Sequence, residues 1–180
     1  MKKTFILLML TIAIQVKAQI FVGEKCSITF FSETKMENID ATNTVTKPVL
    51  NTATGNFAIK ASQTAFIFKS AFMQEHYNEN YMESEKFPFA TFVGKIEETI
   101  DYTKNGTYPV TIKGKLDLHG VELPRTITGT LTVKDGRITM NSKFNVKVAD
   151  HKVKVPSLYV DKIAENIEIT FHSEMVPYKK

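Results

Sequence analysis

The chain has 180 residues, enough for one domain with a substantial core, and carries 23 Lys and Arg against 19 Asp and Glu. Arginine occurs only at Arg125 and Arg137 and no basic stripe is present, which argues against electrostatic nucleic-acid binding. A single cysteine, Cys26, excludes an intrachain disulfide, and Gly23-Glu24-Lys25 before it lacks the apolar and small residues of a lipidation signal.

Lys2 and Lys3 precede an uncharged apolar run from Phe5 to Ile14, and Val16-Lys17-Ala18 fits a small-residue cleavage site. Residues 1–18 therefore read as a secretory signal peptide, with a mature chain 19–180 that is periplasmic or secreted. Lys2, Lys3 and Lys17 leave with that segment, so the mature chain is nearly neutral. No later run is long and apolar enough for a membrane span.

The remainder reads as one all-β domain. Ser27–Ser32 alternates with Ile28 and Phe30 on one side, and Phe57–Lys69 carries Phe57, Ile59, Phe66 and Phe68 after a turn centred on Thr54-Gly55. A short amphipathic helix follows, in which Phe72, Met73, His76, Tyr77 and Tyr81 share a face. Pro88 ends it, and beyond Pro88 the residues Phe89, Thr91 and Val93 oppose Ala90, Phe92 and Gly94 across a strand. Asn105-Gly106 and Asp135-Gly136 each signal a tight hairpin, between Thr91–Tyr102 and Thr107–His119 and between Thr126–Val133 and Arg137–Val148. Ile163–Val176 closes the series. Roughly eight strands in succession must pack as a sandwich or close as a barrel, and alternation alone does not choose between them.

Catalytic patterns find little support. Ser32-Glu33-Thr34-Lys35 matches S-x-x-K but lacks its S-D-N and K-T-G partners and does not open a helix. His76, His119, His151 and His172 show no metal-binding spacing, so no metal or other cofactor is expected. His119-Gly120 reads as a turn whose imidazole bonds backbone, and Asp150-His151 as neighbours that point apart. The sequon Asn105-Gly106-Thr107 is explained by the hairpin.

The run Asn80–Ile96 (NYMESEKFPFATFVGKI), the run Gly114–Pro124 (GKLDLHGVELP) and, more weakly, Phe144–Val155 resemble the YceI-like family of exported proteins that bind polyisoprenoid lipids. The resemblance implies a single antiparallel, lipocalin-like barrel of roughly eight strands with one short helix set against it. It also implies an apolar, isoprenoid-like lipid as partner, with no catalysis. The 13 Phe residues at alternating strand positions suit an apolar interior, with Ala61, Ala65, Ala90 and Gly94 leaving room beside the rings. Alternation and that architecture together nominate Phe66, Phe68, Phe72, Met73, Tyr77, Phe89, Phe92, Phe144 and Val146 as ligand-binding, with His76, Asn78 and Asn80 meeting a head group. Two other readings stay open: a filled-core interaction or assembly module, acting through its surface or as a homodimer, and a lipid-modifying enzyme with polar groups inside the barrel.

Overall fold

The structure is a computed structural model that describes residues 19–179. The signal-peptide segment lies outside the described residues. Ten strands form one antiparallel sheet: β1 (Ile20–Glu33), β2 (Asn38–Asn43), β3 (Val49–Asn51), β4 (Asn56–Ser62), β5 (Ile67–Phe68), β6 (Phe89–Ile96), β7 (Gly106–Leu118), β8 (Val121–Lys134), β9 (Arg137–Lys147) and β10 (Asn166–Pro177). The last strand pairs with the first from Phe21↔Pro177 to Phe31↔Glu168, which closes the sheet into an eight-stranded barrel and leaves the ring without an edge.

Ten strands make eight staves because two staves are broken. β2 and β3 both lie along β1, one against Ile28–Glu33 and the other against Ile20–Val22. In the same way β4 and β5 pair with β3 and β2. Buried Asn43 holds both breaks: its Oδ1 accepts from the Val45 and Thr46 backbone N–H groups and the Thr46 hydroxyl, and its Nδ2 donates to Ser62 O at 3.1 Å. The sequence reading did not identify β2, whose Asn-Ile-Asp-Ala-Thr-Asn is too polar to announce a strand.

Local chemistry phases the staves. A bulge between Gly23 and Lys25 moves the inward set of β1 from Phe21 and Gly23 to Cys26 and Ile28. Gly23 fits there because a Cβ would come within 2.5 Å of Pro48 Cδ. Asp135-Gly136 makes the expected tight turn, both residues having positive φ. Asn105-Gly106 does not. β6 ends at Ile96 and a longer loop leads to β7, while Asn105 uses its amide to bond the backbone and side chain of Asp135.

The barrel is largely filled at one end, apart from a void of about 80 Å³ beside Phe57, Phe92 and Val110. Phe21, Leu50, Ile96, Val110, Leu131, Val133, Ile138, Met140 and Met175 form its core, and Phe57, Phe92 and Phe171 lie across its inner limit, with centroids 6.4 Å apart for Phe57–Phe92 and 6.0 Å for Phe57–Phe171. Phe92 covers a paired Gly94 and Gly114: a Cβ on Gly114 would meet Val93 O at 2.4 Å and the Phe92 ring at 2.8 Å. Backbones at that crossing approach too closely for any side chain.

At the other end the wall splays. β8 pairs with β9 only over Gly129–Lys134, so Val121–Thr128 and Lys143–Lys147 part. A 3-10 turn, Val148–His151, fills the gap. His151 is fully buried there, its Nδ1–H donating to Val121 O at 3.0 Å, with Arg125 at 3.5 Å from its Nε2. Burial pulls the His151 pKa below the ordinary histidine value, so the ring is neutral. His119, at φ 54°, tips the β7–β8 turn and bonds the His151 carbonyl, as the turn reading expects, and reaches Glu83 at 2.8 Å through its second nitrogen.

Candidate functional site

Above the aromatic floor the barrel is hollow. A cavity of about 460 Å³ occupies this end, within the range of roughly 300–1,000 Å³ typical of small-molecule sites. The inward residues of the staves supply its wall: Ile28 and Phe30 from β1, Ile39 from β2, Leu116 and Leu118 from β7, Phe144 and Val146 from β9, and Ile167 and Ile169 from β10. Ala61 and Ala90 face each other across the β4–β6 pairing and keep that side of the wall thin. Val148, Val153 and Val155 close the splay between β8 and β9.

The helix α1 (Ala71–His76) roofs part of the hollow. Ser70 caps it by accepting from Met73 N, and after His76 the turn widens into a π-turn over Tyr77–Tyr81. The wider turn lets Tyr77 and Tyr81 follow Phe72, Met73 and His76 along the cavity side. The helix ends where Asn78 takes Ser84 as partner through both side chain and backbone, and Glu83 turns the chain at φ 45°. Phe72, 66% exposed, stands at the rim with Tyr159 and Lys162, so the cavity opens between α1 and the 157–163 segment.

Phe30 organises the aromatic side of the wall, its ring centroid lying 5.8 Å from Phe66, 5.4 Å from Phe68 and 5.4 Å from Tyr77. Burial pushes the Tyr77 phenol upward, so it stays a neutral donor. Its hydroxyl donates to Gln63 Oε1 at 2.6 Å. Gln63 is a polar residue at an inward position, 1% exposed. The other polar groups on the lining are Ser32, Glu37, His76, Thr91, Tyr81, Tyr159 and Lys162. Ser32, of the S-x-x-K match, is engaged as acceptor for Ala164 N at 2.9 Å. Among the described residues no three His, Cys, Asp or Glu side chains converge as a metal site, and no helix is long and apolar enough to cross a membrane.

Of the residues nominated from sequence, Phe66, Phe68, Phe72, Met73, Tyr77, Phe144 and Val146 lie on this lining, as does His76. Phe89 does not. It sits on the outer face, 42% exposed, under Lys60 Nζ at 3.8 Å, because residues 89 and 92 fall on opposite faces of β6. Phe92 faces inward but belongs to the floor, on the filled side. Asn78 is spent on the helix end, donating to Gln74 O and accepting from Ser84, and Asn80 is exposed beside His76, its Nδ2 3.0 Å from His76 Nδ1. Gly94 lies under Phe92 and Ala65 in the 3-10 turn Gln63–Ala65, so neither makes room in the hollow. Phe30 and Gln63 were not nominated, although Phe30 shares the face of Ile28 and one further step of the alternation Phe57–Ile59–Ala61 reaches Gln63.

The sequence profile of the YceI-like domain matches residues 15–175. Among solved structures, a polyisoprenoid binding domain from Saccharophagus degradans superposes with a TM-score of 0.75 at 15% identity, covering 88% of this chain and 98% of its own. Burkholderia cenocepacia BcnA gives 0.70 at 15% identity over 84% of this chain and 96% of its own. The Campylobacter jejuni YCEI protein gives 0.57 at 17% identity over 73% and 78%. These likenesses are likenesses of fold. No curated protein sequence matches.

Proposed function

This chain belongs to the YceI-like family, and we propose that it binds and carries an amphiphilic lipid, an isoprenoid, in the hollow end of its barrel. The observation that carries this reading is the half-filled interior: a cavity of about 460 Å³ walled by aliphatic and aromatic side chains above a closed aromatic floor. A filled-core module has no use for such a space. The structural neighbour described as a polyisoprenoid binding domain supports the choice of ligand class.

The mechanism is burial. Each methylene removed from water contributes about 0.8 kcal/mol, so a few isoprene units supply the affinity, offset by the ordering of a flexible tail. The floor sets how deep the tail runs. Any length beyond the cavity passes out between α1 and the 157–163 segment, where His76, Tyr159 and Lys162 meet water. The lining polar groups are few and dispersed, which suits retention without bond-making. The apolar run at Phe5–Ile14 and the cleavage pattern ending at Ala18 favour a site of action outside the cytoplasm.

The test is displacement of an environment-sensitive apolar dye from the mature chain by farnesol, with hexanoate as a short anionic control. Saturable displacement by farnesol at one site, weakened by Phe68→Ala, supports the reading. Dye that binds but is not displaced by farnesol, or farnesol binding untouched by Phe68→Ala, contradicts it.

A further inference from the structure

The segment between the 3-10 turn Val148–His151 and β10 changes pattern halfway. Over residues 152–155 alternation sends Val153 and Val155 to the cavity and leaves Lys152 and Lys154 exposed. Pro156 and the 3-10 turn Ser157–Tyr159 then break that alternation. Beyond the break Leu158 stands 85% exposed and Val160 55% exposed, on either side of Tyr159 at the cavity mouth. Lone exposed apolar side chains are ordinary, but these two face solvent beside the opening through which a lipid must pass, across from Phe72 on α1. Lys162 completes the segment. Three exposed lysines stand against one carboxylate, Asp161, and none of the three forms an ion pair among the described residues.

We infer that the 152–162 segment docks the barrel on an anionic lipid bilayer, with Leu158 and Val160 entering the interface and Lys152, Lys154 and Lys162 meeting lipid phosphates. This inference rests on the lipid-carrying reading above and names the surface with which the carrier exchanges its cargo. Charge complementarity selects the occupant. Each lysine near an anionic surface strengthens attachment roughly fivefold, its stem lying along the apolar boundary while the ammonium reaches the head groups. The opposite lip, α1 and its π-turn, carries exposed Glu75 and Glu79, so the attraction belongs to the 152–162 side and the barrel docks tilted onto it. Two apolar side chains on one turn suit insertion between head groups, and fall far short of the roughly 800 Å² per partner of a stable protein interface. Docked this way, the mouth opens onto the bilayer and a tail enters the hollow without crossing water.

The experiment measures co-sedimentation with sucrose-loaded vesicles, made of phosphatidylcholine alone or of phosphatidylcholine and phosphatidylglycerol in equal parts. The wild type is compared with Lys152→Gln/Lys154→Gln and with Leu158→Asn/Val160→Asn. All four positions lie outside the cavity lining, so farnesol displaces an apolar dye equally well from both variants. The expected result is binding to the mixed vesicles that weakens at least about tenfold in either variant and falls as salt is raised. A nitrobenzoxadiazole label on Leu158→Cys brightens and shifts to the blue on the mixed vesicles, while the same label on Ala53→Cys, in the β3–β4 turn at the filled end, does not. Sedimentation with neither vesicle, equal binding to both, variants that bind like the wild type, or equal shifts at the two labels overturns the inference while leaving the carrier reading intact. A dimer seen by analytical ultracentrifugation without vesicles, and dissociated by Leu158→Asn/Val160→Asn, assigns the patch to a second copy and also overturns it. Wild-type protein that takes up no farnesol overturns the carrier reading and this inference with it.

Discussion

Ala61→Phe separates a hollow barrel end from a filled one by the sign of its effect. Ala61 is buried, faces Ala90 across the β4–β6 pairing, and its methyl borders the cavity together with Phe30, Phe66 and Tyr77. In a packed core the added ring would force neighbours off their rotamers, at about 1–3 kcal/mol. Here the ring has the cavity to enter, and burying it contributes about 1.5–3 kcal/mol, so stability stays level or rises. Val133→Phe, in the filled end and beside no void, is the control and is expected to cost the full overpacking penalty. The ring takes space from the ligand: excluding two or three methylenes at about 0.8 kcal/mol each weakens a bound isoprenoid roughly 15- to 60-fold. Urea unfolding of the apo protein and dye-displacement titrations read the two effects. If Ala61→Phe destabilises as Val133→Phe does and leaves affinity unchanged, the space beside Ala61 is not the ligand's.

Gly114→Ala is expected to lower stability by about 2 kcal/mol or more in urea melts, because its Cβ has Val93 O at 2.4 Å and Gly94 Cα at 2.6 Å; a neutral result would show that the Phe92 floor is not held by the glycine pair. The Cys26 thiol, pushed up to about 11 by burial against a smaller opposing bond from Ser173, is expected to resist iodoacetamide at pH 8 until the protein is unfolded, and labelling at the rate of a free thiol would contradict its placement in the wall. His151 is held neutral, its pKa lying below the ordinary 6.5 chiefly through burial, with Arg125 adding to the effect. The unfolded chain therefore binds this proton first, and stability is full above pH 6.5 and declines as pH falls through the lower folded value. Urea midpoints measured from pH 8 to pH 5 should show that decline, and His151→Gln should flatten it; an unchanged slope would remove His151 from the account.

The alternation of apolar residues made most staves legible, and the three- and four-residue spacing of Phe72, Met73, His76, Tyr77 and Tyr81 marked the helix face that lines the cavity, with the π-turn carrying its last two members. What alternation does not carry is depth. Phe92 and Phe66 both face inward, yet one lies in the floor and the other on the lining, because the level of each along the barrel follows from the pairing of its strand with distant neighbours. Phase is lost wherever a stave breaks. The 3-10 turn Gln63–Ala65 moves the inward set from odd to even positions, so Ala61 and Gln63 point inward and then Phe66 does. Asn105-Gly106 misled for a different reason: its asparagine serves the neighbouring hairpin rather than its own. The closing of the splay by Val148–Val155 was also beyond reach, since it depends on a buried histidine bonding a strand about thirty residues earlier.

The most direct test of the central claim is native mass spectrometry of the protein purified from its own host without detergent, followed by organic extraction and mass analysis of the released lipid. The account predicts one isoprenoid lipid per chain, lost from Ala61→Phe and retained by Val133→Phe where that variant folds. A wild-type chain that flies at its bare mass, and stays there after incubation with farnesol, would contradict it.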